Sequence, residues 1–224
     1  MSRSKFKNGA GKPVIALDID GTLGDYHGHF LRFAEGYVGK PMPNPSEINP
    51  GLLLYKHMHI SRAAYRATKL AYRQGGLKRS MPVYPFAAEL TQRIRKAGSE
   101  VWICTTRPYL RLDNIDPDTR EWLRRNRIQY DAVLFGEAKY KELIRQVGSE
   151  RIIAVADDLP EQTIKAYHLD IRPIFLIDQP YNKGWEEDGI QWYPKTVRRV
   201  HGLEELWYEL DPILKESAKE LSIR

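Results

Sequence analysis

Five short apolar runs punctuate the chain: residues 14–18 (VIALD), 101–105 (VWICT), 132–135 (AVLF), 152–156 (IIAVA) and 174–177 (IFLI). Each is too continuously apolar to keep one face wet. Each therefore predicts a strand of a parallel sheet that is covered on both sides. Between them, apolar positions recur at helical spacing near 86–97, 117–126, 138–147 and 160–168. A last helix is predicted over 203–217, where Leu203, Leu206, Leu210 and Leu214 form one stripe. Alternation of this kind predicts an α/β fold, a Rossmann-like parallel sheet with helices on both faces.

One connection breaks the alternation. Residues 25–84 separate the first strand from the helix near 86, and a structureless loop of that length does not suit a compact domain. Phe30, Phe33 and Tyr37 recur at helical spacing, as do Ile60, Ala64, Ala67 and Ala71, whereas residues 40–50 hold four prolines and read as a loop. The expected organisation is a basic tail over 1–12, a core domain over 13–24 and 85–224, and a helical cap over 25–84.

Composition narrows the class. A hydrophobic content of 42% and a charged content of 29% suit a globular protein. No apolar run approaches the roughly 20 residues that cross a bilayer, so no membrane partner is expected. The single cysteine, Cys104, rules out an internal disulfide and fits a cytoplasmic location. It lies inside a predicted strand and reads as core. The net charge is +6, and residues 25–84 carry nine Lys or Arg against three acids, which equals that whole excess. Within this segment Arg62, Arg66, Lys69 and Arg73 share a helical face, which reads either as a surface for polyanions or as a solvated face.

The candidate chemistry gathers at strand ends, where open parallel sheets bind ligands. The first strand ends in Asp18-Ile-Asp20-Gly21-Thr22. Carboxylates at i and i+2 of an extended chain point to one side. Such a pair can hold a hard cation or divide nucleophilic and acid–base work. The second strand ends in Thr105-Thr106-Arg107, whose hydroxyls and guanidinium suit phosphate oxygens. Lys139 opens a helix beyond the third strand and offers a point charge, with Lys141 as an alternative. The fourth strand ends in Asp157-Asp158, adjacent acids that need a cation nearby.

In this order the four motifs resemble those of the haloacid dehalogenase superfamily of phosphatases. The nearest likeness is to the 5′(3′)-deoxyribonucleotidases, carried by residues 18–26 (DIDGTLGDY), by Ile103-Cys-Thr-Thr-Arg107 and by Asp178-Gln-Pro-Tyr-Asn182. The resemblance implies a phosphomonoester hydrolase that passes through an aspartyl-phosphate. In it Asp18 is the nucleophile, Asp20 the acid and base, and Thr105 and Lys139 the phosphate cradle. Asp18, Asp20, Asp157 and Asp158 hold Mg2+, Thr106 and Arg107 bind substrate, and Tyr26 stacks on a base. The substrate expected is small and phosphorylated, a nucleoside monophosphate. Two alternatives stand beside it: a polynucleotide 3′-phosphatase, which the basic cap favours together with a stretch at Asp118–Leu123 that resembles a helix of end-healing enzymes, and a non-catalytic nucleic-acid-binding protein on the same scaffold. A homodimer is left open.

Overall fold

The computed structural model describes residues 11–48, 53–108, 112–183 and 196–222. The expected basic tail lies outside them up to residue 10. Six parallel strands form one sheet: β1 (Val14–Leu17), β2 (Glu100–Thr105), β3 (Ala132–Phe135), β4 (Ile152–Asp157), β5 (Ile174–Ile177) and β6 (Val197–Val200). Their order is β3-β2-β1-β4-β5-β6, so the chain reverses its winding between β1 and β4. That reversal opens a crevice at the carboxyl ends of these two strands. The expected α/β Rossmann-like fold is the one observed.

Strand parity decides which side chains meet. Ile15 and Leu17 enter the core on one face of the sheet, with α4 (Ala87–Lys96), α5 (Ile115–Arg125) and α8 (Leu203–Ser222). Val14, Ala16 and Val155 enter the core on the other face, with α6 (Lys139–Val147) and α7 (Pro160–His168). Carried on by two residues, the second parity puts Asp18 and Asp157 on the α6 side. Cys104 is buried in that same core, as expected, and burial pushes its thiol up to about 12. Leu203, Leu206, Leu210 and Leu214 are all buried.

Between β1 and α4 the chain builds a layer of helices: α1 (Tyr26–Val38), α2 (Leu54–His57), α3 (Arg62–Gln74) and a short turn of 3-10 helix at Leu77–Ser80. Phe30, Leu31, Ala34, Ile48, Met58 and Tyr72 form a core of their own there. The layer joins the sheet domain through two chain segments lying side by side. Asp25 donates its N–H to the Pro82 carbonyl at 2.9 Å, and Tyr84 donates to the Leu23 carbonyl at 2.9 Å.

Three details differ from the sequence reading. Strand β6 was not expected; its centre is Arg198-Arg199, and a charged edge strand lacks the apolar run that marks a buried one. On α3 the buried positions are Thr68 and Tyr72, while Ala67 is exposed. A tyrosine ring buries more area than an alanine methyl, so the rings turn the helix. The basic stripe on α3 also splits: Arg62 and Arg66 are exposed, whereas Lys69 and Arg73 are half-buried. Among the described residues no helix is long and apolar enough to cross a membrane.

Candidate active site

The loop after β1 is set by main-chain bonds. The Ile19 carbonyl accepts from Thr22, Leu23 and Gly24 N–H at 3.2, 2.9 and 3.0 Å. Gly21 sits at φ +98°, and a Cβ there would meet the Asp158 carboxylate and the Tyr181 hydroxyl. Only glycine fits both the backbone and the space.

This loop leaves Asp18 buried at the switch point. Leu17 pairs with Ala156, and the Asp18 N–H continues the ladder to the Ala156 carbonyl at 3.0 Å, which brings Asp157 alongside. Lys139 Nζ donates to Asp18 Oδ1 at 2.6 Å and lies 2.6 Å from Asp157 Oδ2. Tyr140 donates its hydroxyl to Asp157 Oδ2 at 2.6 Å, and Leu159 N–H donates to Asp157 Oδ1 at 3.0 Å. Asp158 accepts from the Tyr181 hydroxyl and, at 3.5 Å, from the Thr22 hydroxyl. Asp18 Oδ2 has no hydrogen-bond partner among the described residues.

Asp18, Asp157 and Asp158 each offer an oxygen within 4.8 Å of the others. When all three carboxyls are ionised, one ammonium leaves two negative charges, and oxygen donors of this kind suit a hard divalent cation. Burial pushes the Asp18 carboxyl up to about 7; Lys139 opposes this, and Asp157 and Asp20 add to it. Burial likewise raises the Asp158 carboxyl well above its ordinary value, with the Asp157 charge next. Burial acts to lower Lys139, but Asp157 and Asp18 more than offset it, so its ammonium is held more firmly than usual.

Asp20 faces a different set of partners. Arg107 grips it through Nε at 3.2 Å to each oxygen and through Nη2 at 2.6 Å to Oδ1, and Lys78 Nζ bonds Oδ2. Burial acts to raise the Asp20 carboxyl, yet Arg107 and Lys78 outweigh it and hold it well below the usual carboxylate range. The same two cations link Asp20 to distant elements. Arg107 Nη1 donates to the Thr119 hydroxyl on α5 at 3.0 Å. Lys78 Nζ lies 3.8 Å from the Tyr26 ring centroid, and burial lowers its ammonium to about 7.

The fold thus brings together Asp18, Asp20, Arg107, Lys139, Asp157 and Asp158. The side chain of Asp20 stands apart from the three-carboxylate group and is taken up by its two cations. Thr105 is buried at the end of β2 and accepts from the Arg107 N–H at 3.4 Å, and Thr106 beside it is half-buried. Tyr26 has Lys78 against its ring and also packs on Phe30 at 5.7 Å and Tyr72 at 5.9 Å, so it offers no bare face in this structure. Lys139 is buried, whereas Lys141, the alternative lysine, is exposed.

Sequence reasoning passed over Lys78 and Tyr140, and it noted the stretch that holds Thr119 only for its likeness to end-healing enzymes. No pattern marks Lys78: it is one of nine basic residues in its segment, and only burial sets it apart. Tyr181 and Asn182 lay within a stretch already singled out by resemblance. Asn182 is buried and donates to the carbonyls of Asp158 and Ile177, both at 2.8 Å, which ties the loop after β5 to the acid pair.

No protein-family model matches the chain, and no curated protein is similar to it in sequence. Solved structures do match in fold. A haloacid dehalogenase-like hydrolase from Streptococcus pneumoniae is 15% identical, covering 88% of this chain and 98% of its own, with a TM-score of 0.58. CbbY from Rhodobacter sphaeroides, in complex with phosphate, is 16% identical over 88% and 96%, with a TM-score of 0.57. Protein Tyrosine Kinase A of Mycobacterium tuberculosis is 17% identical over 90% and 99%, with a TM-score of 0.62. The chain has the fold of haloacid dehalogenase hydrolases; at these identities the likeness extends to fold alone.

Proposed function

We propose that the chain is a magnesium-dependent phosphomonoester hydrolase that works through an aspartyl-phosphate on Asp18 and acts on nucleoside monophosphates. One observation carries the reading: Asp18 has one oxygen held by Lys139 and the other without a partner among the described residues, and it belongs to a group of three clustered carboxylates. That is the arrangement a carboxylate nucleophile needs.

Asp18 Oδ2 attacks phosphorus, and the bond from phosphorus to the leaving oxygen breaks. Asp20 gives that oxygen its proton, and the alcohol departs. Asp20 then takes a proton from a water that attacks the acyl phosphate, which frees inorganic phosphate and restores Asp18. The side chains of Asp18, Asp157 and Asp158, with the main-chain carbonyl of Asp20, would hold Mg2+. When bound, the ion supplies positive charge against the repulsion between carboxylate and phosphate. Lys139 and Thr105 complete the phosphate cradle.

Asp20 must carry a proton in this scheme, yet Arg107 and Lys78 favour its ionised form. Phosphoryl oxygens arriving beside Asp18 compete for both cations. Each contact passed to the phosphate lets the Asp20 carboxyl rise toward its ordinary value. The same exchange gives Arg107 its place as a substrate contact; for Thr106 that role rests on the motif resemblance. The nucleotide assignment rests on the motif resemblance around residues 18–26 and 103–107. CbbY, a structure of the same fold, holds phosphate, which supports a phosphorylated substrate.

A phosphate-release panel tests the reading: deoxynucleoside monophosphates, sugar phosphates and 3′-phosphorylated oligonucleotides, each with magnesium and with chelator. Turnover of mononucleotides that needs magnesium and vanishes in Asp18→Asn supports it. Wild-type rates in Asp18→Asn on an aryl phosphate would rule out the nucleophile. Turnover of oligonucleotide ends alone would move the assignment to end repair.

A further inference from the structure

The cations around the reaction centre are not all accounted for by its acids. Lys139, Arg107 and Lys78 each bond a carboxylate of the site. Lys69 and Arg73 lie on the same helix α3 that carries Tyr72. The ring of Tyr72 is 5.8 Å from Lys78 Nζ, and its hydroxyl pairs with His29 Nδ1 at 2.7 Å. Lys69 and Arg73 are half-buried, and among the described residues neither has an acidic partner within 4.0 Å. Lys69 Nζ lies 5.1 Å over the Tyr65 ring instead.

The surroundings say what kind of ligand they await. Burial, with Arg73 adding to it, pulls the Lys69 ammonium down to about 8, and the charge of Asp20 opposes this only in part. Two half-buried cations without counter-charge cost stability unless an anion joins them. Alongside, His27 packs on Tyr181 at 4.0 Å between ring centroids, and its Nδ1 is shut from solvent without a hydrogen-bond partner among the described residues. Burial first, then the charge of Lys69, lowers this imidazole to about 4, so it is neutral at physiological pH and can bond a hydroxyl.

We propose that Lys69 and Arg73 form a second anion subsite on the leaving-group side of Asp20, so that the preferred substrate is a phosphate monoester whose leaving group carries another anionic group. The inference rests on the proposed phosphatase site, because it takes the phosphoryl group to sit at Asp18. It goes beyond that reading in making a plain nucleoside monophosphate the poorer ligand.

Binding to Asp18→Asn, which needs no turnover, tests it by calorimetry with magnesium present. The probes are a nucleoside 3′,5′-bisphosphate and the matching 5′-monophosphate. The bisphosphate should bind about tenfold tighter or better, as a charge-assisted contact implies. Adding Lys69→Gln and Arg73→Gln should bring the ratio of the two Kd values close to one. Arg62→Gln with Arg66→Gln, exposed on the same helix, should leave the ratio as it was. Equal binding of the two probes before the subsite changes, or a ratio that survives them, overturns the subsite. Absence of phosphate release by the unaltered chain overturns the phosphatase reading instead, whatever the binding ratio.

Discussion

Lys139 Nζ donates to Asp18 Oδ1 at 2.6 Å, across 121 residues of sequence, and both side chains are buried. Lys139→Met leaves Asp18 and Asp157 as buried charges without their common partner. The expected cost is about 3–5 kcal/mol at pH 8, read as a lowered urea midpoint in chelator. The cost should shrink at pH 5, where Asp18, raised to about 7, is protonated and needs no counter-ion. A cost that is independent of pH would mean that Lys139 acts through packing.

The raised carboxyls also make magnesium binding depend on pH. Folded Asp18 and Asp158 keep protons that the unfolded chain releases from about pH 4 upward, so their contribution to stability falls as pH rises toward 7. His27 and Lys78, both lowered, act with the opposite sign over neighbouring ranges. The difference between magnesium and chelator at one pH cancels those contributions. Magnesium should therefore raise Tm more at pH 8 than at pH 5 in thermal melts. An equal rise at both would place the ion elsewhere.

Arg107→Lys should weaken the protein through Asp20. The depressed Asp20 carboxyl contributes stability above its unfolded pKa near 4 and loses it as pH falls further. Lysine cannot reproduce the forked contact to Asp20 or the bond to Thr119. A loss of about 2–3 kcal/mol is expected at pH 7, and less at pH 3, by urea titration. The same variant should raise KM for phosphate esters if the guanidinium passes to substrate.

Asn182→Ala probes the second carboxylate of the acid pair. Its amide donates to the Asp158 and Ile177 carbonyls, and its Oδ1 accepts from Gln179 N–H at 3.0 Å and Arg199 Nη1 at 2.8 Å. Removing these buried contacts should cost about 3 kcal/mol. Because Asn182 positions Asp158 rather than touching the ion, magnesium affinity should fall about tenfold in calorimetry. Asn182→Asp should not restore it, since a carboxylate cannot donate to the two carbonyls.

The sequence by itself determined five of the six strands and the acids at the rim of the sheet. Runs such as 14–17 and 152–156 are apolar without a break, and only a strand covered on both faces satisfies them. Their ends carry Asp18, Asp20, Asp157 and Asp158, which the sequence grouped as four, and the structure sets the side chain of Asp20 apart from the other three. Tertiary structure alone decided which cation meets which acid. Lys78 looks like its basic neighbours in sequence, and it is its burial against Tyr26 that turns it onto Asp20. The stripe of four basic residues on α3 read as one surface, yet burial of Tyr72 rotates Lys69 and Arg73 inward and leaves Arg62 and Arg66 in solvent. The reason is one of range. Apolar periodicity is a local property of the chain, whereas the partner of a charge depends on which residues the fold brings within a few ångströms, and neither charge nor spacing records that.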